Sequence, residues 1–325
     1  MSGTQATQRP GRSCPLDYRY GAPSLRRAPD FEAETLLVAG GLYGNPFALA
    51  ALLDMAAAEP HGATLVFNGD FHWFDIEAHT HARINAEVLA HRALRGNVET
   101  ELALPGEEAG CGCGYPDWVG DAEVARSNDI MLRLRQTAQA DAAALSRLAA
   151  LPMHLVAAVG GERVGIVHGD ADSLAGWDCS QEQLRDHPEK AAAQLQAAGV
   201  RVLATSHTCL PVLAAFELAA GRSVLANNGA AGMPNFAGTH YGLATRVSVH
   251  PAPRSLHGLR AGPLHVDAVA IEFDQQAWLS SFDHWWPEGS PAQLSYRRRI
   301  VAGPDYTTAQ ALRQLNPLAL AAATG

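Results

Sequence analysis

Four side chains of this sequence are of types that hold metal ions, and all four recur in the same local setting. Asp70 follows Gly69, Asn97 follows Gly96, His168 precedes Gly169, and His207 sits in the turn Ser206-His207-Thr208-Cys209. Strand ends are where α/β proteins gather their ligand-binding loops. One carboxylate, one amide oxygen and two imidazoles suit Mn²⁺, Fe²⁺ or Zn²⁺. Small neighbouring residues let the backbone come close to an ion. An ion so held lowers the pKa of bound water and polarises a phosphoryl oxygen, which opens hydrolytic chemistry. Taken singly, Asp70 and Asn97 would be turn formers; the ordered set of four carries the metal reading. Asp70, His168 and His207 alone would also suit a two-His-one-carboxylate Fe(II) centre, but that centre leaves Asn97 unexplained.

The elements that must position these residues follow a βαβ rhythm. Residues 35–39 form an apolar β-type run, and a helix follows over 47–58 behind Pro46, a residue suited to a first helical turn. A second buried strand, 63–67, ends at Asn68-Gly69-Asp70, and an amphipathic helix covers about 76–92. Two strands at 153–159 and 162–168 flank Gly160-Gly161. A helix over 180–198 has Ser180 as its cap and Gly199 as its stop. Strands follow at 202–205, 212–218, 222–226, 241–250 and 265–273, then an aromatic segment and an Ala-rich terminal helix. Such alternation predicts an α/β sheet fold. The expected organisation is a loose arm over 1–33, one domain over 34–275 with a helical cap inserted at about 101–150, and a packed extension over 276–325.

Composition closes off other classes. With 24 Lys+Arg against 33 Asp+Glu, a net charge of -9 leaves no basic surplus for nucleic acid. No apolar run reaches membrane-spanning length, and the first residues lack a secretory apolar core. Five cysteines, an odd count, predict no disulfide framework and a cytoplasmic location. Cys111-Gly112-Cys113 reads either as a metal or redox element or as a loop with incidental thiols forming part of a lid. Gly40-Gly41-x-x-Gly44 offers a phosphate cradle, but its spacing fails as a dinucleotide fingerprint.

Set in order, the segments Gly41-Leu42-Tyr43-Gly44-Asn45, Gly69-Asp70, Gly96-Asn97-Val98-Glu99, His168-Gly169-Asp170 and Ser206-His207-Thr208-Cys209 resemble the five blocks of the calcineurin-like metallophosphoesterases. The likeness runs from residue 35 to about 250. Gly44-Asn45 and Asn228-Gly229-Ala230 look like that family's bacterial phosphodiesterase and phosphatase branch. The resemblance implies a four-layer α/β/β/α sandwich of two mixed β-sheets flanked by helices. It also implies that Asp70, Asn97, His168 and His207 are the ligands of the family's second metal. The first metal's own ligands are replaced: the opening Asp is Gly41, its His is Tyr43, and the last His is Cys209. The expected cofactor is therefore one divalent ion (Mn, Fe or Zn), and the expected activity is hydrolysis of a phosphoric ester on a small molecule. The family's third-block His is Val98 here. His72 is the expected general acid in its place, or else it rebuilds part of the first site with Cys209. His79 and His81 are expected to be solvated. Tyr43, Asn45, Cys209 and the amides of the 40–45 loop are expected to hold the phosphate. The expected partner is a small phosphate ester, with no nucleic acid and no membrane, and a homo-oligomer is compatible. The rival reading is a degenerate member of the same fold that binds a phosphorylated ligand without turnover.

Overall fold

A computed structural model of the 325-residue chain describes residues 10–12, 15–104 and 110–315. Its strands are β1 (Phe31–Ala33), β2 (Thr35–Ala39), β3 (Ala63–Asn68), β4 (Arg92–Leu94), β5 (His154–Val159), β6 (Glu162–Val167) and β7 (Val202–Thr205). They continue with β8 (Val212–Leu218), β9 (Gly221–Asn227), β10 (Gly242–Ser248), β11 (His257–Ala261), β12 (Leu264–Ile271) and β13 (Leu312–Leu315). The helices are α1 (Pro46–Ala57), α2 (Ala78–Val88), α3 (Asn97–Ala103), α4 (Asp121–Ala138) and α5 (Ala142–Ala149). After these come α6 (Gln181–Asp186), α7 (Pro188–Ala198), α8 (Gln275–Trp285), α9 (Pro291–Ala302) and α10 (Thr308–Ala311).

Two mixed sheets result. One runs β1-β5-β6-β7-β9-β8-β13 and the other β11-β12-β10-β2-β3-β4. Period-2 alternation sorts the apolar side chains between layers. Leu36 and Val38 of β2 face the seven-stranded sheet and meet Val164, Ile166, Val202 and Val224 in a shared core. Leu37 and Ala39 face the opposite way, into a layer with Leu49, Leu52, Ile84 and Trp278 from the helices. On the far face of the seven-stranded sheet, Leu203 and Leu225 pack against Leu184 and Leu195 of α6 and α7. Helix, sheet, sheet, helix is therefore the layering, as the resemblance implied. Among the described residues no helix is long and apolar enough to cross a membrane.

Four expectations change. The arm is not loose from residue 15 onward: 3₁₀ turns at Leu16–Tyr18 and Ala22–Leu25 bury Tyr18 and Leu25, and β1 pairs in parallel with β5. The helix over 180–198 breaks in two at His187, because Pro188 disfavours helical backbone in the residue before it. β11 and β13 add edge strands that the apolar pattern did not mark. Finally, a disulfide joins Cys111 and Cys113. The Ala-rich run at the end of the chain lies outside the described residues, as do residues 105–109 of the inserted segment.

Candidate metal centre

Each of the four expected ligands lies just past a strand's carboxyl end. Asp70 follows β3, Asn97 opens α3 after β4, His168 follows β6 and His207 follows β7. The first two come from one sheet and the last two from the other, so the cluster spans both sheets at one rim. Asp70, His168 and His207 offer donor atoms that all lie within 4.8 Å of one another. His168 Nε2 stands 3.3 Å from Asp70 Oδ2, 3.2 Å from Asn97 Oδ1 and 3.1 Å from His207 Nδ1. The four residues predicted from the sequence do converge.

The far side of each donor is pinned by a group that fixes its orientation. His168 Nδ1 faces the Asn68 carbonyl at 2.8 Å, and His207 Nε2 faces the Cys113 carbonyl at 3.0 Å. A carbonyl only accepts, so each of those nitrogens carries the ring proton and the other ring nitrogen turns to the centre with its lone pair bare. Asn97 Nδ2 donates to the Cys111 carbonyl at 2.9 Å, which turns Oδ1 inward, and Asp70 Oδ1 accepts from the Val98 amide at 3.2 Å. Metal-binding histidines characteristically donate their second N–H in this way. Four electron-pair donors then face one point with no hydrogen between them, which is a fit to a cation. Electrostatics agree. Burial pulls the His168 pKa down, but the Asp70 carboxylate outweighs it and the net shift is upward. The field that favours a proton there also favours a metal. His207 is pushed down to about 3, by burial and then by its neighbour His168, so its imidazole stays neutral through the physiological range. The Asp70 carboxyl lies below its usual value: burial opposes ionisation, and the two histidines overcome it.

Backbone strain gathers at this rim. Among the described residues the non-glycine positions with positive φ are Tyr43 (54°), Asp70 (51°), His207 (22°) and Cys209 (61°). Such conformations cost about 1–3 kcal/mol each and persist where surrounding contacts over-determine them. One such contact is Glu99, fully buried, whose carboxylate accepts the amides of Asp70 (2.8 Å), Gly96 (2.9 Å), Phe71 (3.0 Å) and His72 (3.4 Å). Glu99 thereby ties the Asp70 loop to the Asn97 loop. It stood in the third block, yet nothing in its spacing distinguished it from any acidic residue of a first helical turn.

The positions of the family's first metal hold something else. An added Cβ at Gly41 would come within 2.8 Å of the Tyr43 ring, so an acidic side chain and this tyrosine exclude one another. The Tyr43 hydroxyl is 2.9 Å from Cys209 Sγ. Tyr43 thus stands against both Gly41 and Cys209, with its proton held well above its usual pKa chiefly by burial.

Several expected roles fail on geometry. His72 is fully buried and does not line the cavity: Nδ1 is 2.6 Å from Asp75 Oδ2, Nε2 is 3.0 Å from Asn85 Oδ1, and the ring stacks on His81. Both nitrogens are engaged away from the centre, so it is not placed as a general acid and does not join Cys209. His81 is buried with it, contrary to expectation, while His79 is exposed. His72, Asp75 and His81 form a second buried group of metal-capable side chains. Asn45 is the N-cap of α1, accepting from Phe47 and Ala48 and donating to the Gly232 carbonyl; it is fully buried and does not line the cavity, so it is not placed to hold phosphate. The amides of Gly41, Tyr43 and Gly44 donate to the carbonyls of Gly69, Asp70 and Phe71, and that of Asn45 to Leu42. The loop is spent on holding β2 against the Asp70 loop.

A cavity of about 170 Å³ opens over the ligands. Tyr43, Asp70, Asn97, His207 and Cys209 reach it from the sheet rim. Tyr115 and Glu123 reach it from the inserted segment, and Tyr296 and Arg299 from α9. Trp177 stands edge-on to His207, ring centroids 5.4 Å apart, and donates from Nε1 to the Cys113 carbonyl at 3.0 Å. Arg299 donates to the carbonyls of Pro234 and Cys209, at 3.0 and 2.7 Å. Among the described residues it forms no ion pair.

No protein-family model matches the chain, and no curated protein matches it in sequence. Solved structures do match. A hypothetical protein from Pyrococcus horikoshii is 16% identical with a TM-score of 0.55, over 84% of this chain and 99% of that one. A metallophosphoesterase from Sphaerobacter thermophilus is 16% identical with a TM-score of 0.52, over 83% of this chain and 100% of that one. At such identity the likeness speaks to architecture. With its two mixed sheets packed face to face and flanked by helices, this chain shares the fold of that metallophosphoesterase.

Proposed function

We propose that the protein hydrolyses a phosphoric ester of a small molecule with a single divalent ion held by Asp70, Asn97, His168 and His207. The observation that carries this reading is the set of outer contacts. Carbonyls of Asn68, Cys113 and Cys111 and the amide of Val98 turn every donor's free electron pair to one point. When bound, the ion supplies Lewis acidity and a water acidic enough to ionise near neutrality. The chain's own residues do the rest. Arg299, without an ion pair among the described residues, is the cationic side chain that lines the cavity and would take phosphoryl oxygens. The Tyr43 hydroxyl keeps its proton and can donate one hydrogen bond. Trp177 covers His207 and limits water beside the ligands. Tyr43 standing against Gly41, where the acidic ligand of another ion would need to be, supports the choice of a single ion.

A specific observation keeps the non-hydrolytic reading in view: among the described residues the cavity is lined by no histidine but the ligand His207, and Val98 lines it instead. The test is elemental analysis of the purified protein together with turnover of an aryl phosphate in added Mn²⁺. One equivalent of metal, lost in His168→Ala, with turnover lost alongside it, supports the proposal. Stoichiometric metal with no turnover of aryl monoesters or diesters overturns the hydrolase and leaves a binding protein.

A further inference from the structure

Two opposite charges line the cavity without meeting. Arg299 projects from α9 and Glu123 from the first turn of α4, and among the described residues no ion pair joins them. Glu123 makes no side-chain hydrogen bond or ion pair to any described residue. Aromatic side chains line the same space: Trp73, Tyr115, Trp177 and Tyr296. Tyr115 and Trp177 lie with ring centroids 5.8 Å apart. The phenol protons of Tyr115 and Tyr296 are held more tightly than usual, first by burial and, among lesser causes, by the negative charge of Glu123. The carboxylate's field thus bears on the aromatic enclosure from its mouth.

On the reading that the ligand cluster and Arg299 take a phosphoryl group, we infer that the remainder of the cavity takes a cation: the substrate is a phosphoric ester of an ammonium-bearing alcohol, with Glu123 and the aromatic walls as its subsite. Aromatic side chains attract ammonium ions through the quadrupole of the ring, and a carboxylate beside them adds charge complementarity. A neutral aryl group would use the aromatic walls but leave Glu123 facing it without a partner. At about 170 Å³ the cavity is small beside the roughly 300–1,000 Å³ of sites for drug-sized molecules, which favours a short alcohol over a nucleotide. The alternative for Glu123 is the ordinary one of an acidic residue favouring a helix N-terminus. That role touches stability and not ligand choice.

The experiment uses the full chain with Mn²⁺ and two probes of matched shape. One is choline phosphate, and the other is 3,3-dimethylbutyl phosphate, in which carbon replaces the quaternary nitrogen. The wild type should favour the charged ester by about tenfold, the order of one desolvated cation–aromatic contact. Glu123→Gln should cut that ratio to about twofold, and Glu123→Lys should invert it. Residue 123 is exposed, so both variants should fold, and thermal unfolding verifies it. The ratio is read as kcat/KM and, independently, as dissociation constants by calorimetry. If neither ester nor an aryl phosphate is turned over but the binding ratio still depends on Glu123, the cation subsite stands and the hydrolase reading fails. If aryl phosphate is turned over while both ratios are near one, or survive Glu123→Gln, the subsite is refuted and the hydrolase reading stands.

Discussion

Replacing Glu99 by glutamine changes one oxygen to an amide nitrogen and nothing else in shape, so its effect reports the carboxylate's hydrogen bonds alone. In the native site two oxygens serve four backbone amides, Asp70 and Gly96 on one, Phe71 and His72 on the other. A glutamine keeps a single acceptor. Turned toward the tighter pair, it sets its own NH₂ against the amides of Phe71 and His72, both buried. The His72 bond, at 3.4 Å, is weak, and the Phe71 bond, at 3.0 Å, is good. Stranding a buried donor costs about 1–3 kcal/mol, and bonds to a charged acceptor are at the upper end. Against this, burial and the nearby Asp70 charge already push the Glu99 carboxyl up, so removing its charge returns part of the loss. The balance is a destabilisation of about 2–4 kcal/mol, a large share of the roughly 5–15 kcal/mol of a folded domain. Denaturant titration should therefore give a lower midpoint at unchanged slope. Because Glu99 orients the loop that carries Asp70, metal affinity should also fall by about 10–100-fold. A Glu99→Gln variant within about 0.5 kcal/mol of the wild type and with the same affinity would refute the role given to this carboxylate.

Other perturbations probe neighbouring parts of the site. Gly41→Asp alone should destabilise, because its Cβ meets the Tyr43 ring. Combined with Tyr43→His and Cys209→His it should raise metal content toward two equivalents by elemental analysis, and a value fixed at one would show the five blocks to be misaligned. Gly69→Ala forces a Cβ to 2.6 Å from both the Gly96 amide nitrogen and His168 Nδ1 at a φ of +74°, and should cost more than about 2 kcal/mol in a melting experiment. Asp75 lies far below its usual carboxylate range because the His72 and His81 pairings overcome its burial. A depressed carboxyl contributes stability above its unfolded pKa of 3.8 and loses it as pH falls below that value. The stability gap between wild type and Asp75→Asn should accordingly be widest near neutrality and narrow below about pH 4; a gap independent of pH would dissociate Asp75 from those histidines.

Asp70, Asn97, His168 and His207 were legible because each pairs a recognisable donor with a strand end, and strand ends are visible as apolar runs stopping at a glycine or, before His207, at Ser206. The layering was legible for the same reason. His72 misled because its distance from Asp70 along the chain says nothing of the side chain's direction, which Asp75 and Asn85 settle by taking both nitrogens. Asn45 misled because a helix cap and a phosphate ligand ask for the same residue type. Arg299, Tyr296 and Glu123 left no local mark. They come from helices α9 and α4, which lie against one another, and such a meeting of distant segments has no period or spacing to read. Trp177 and the Cys111–Cys113 loop belong with them, since the contacts that matter are made by backbone carbonyls, which are the same in every residue.

Because β3 and β4 deliver two donors from one sheet while β6 and β7 deliver two from the other, an ion seated among them rivets the two halves of the sandwich together. Stripping it with a chelator should free the halves to slip, and amides of Val38 and Ile166, deep in the seam, should then exchange their hydrogens faster although neither residue touches the rim.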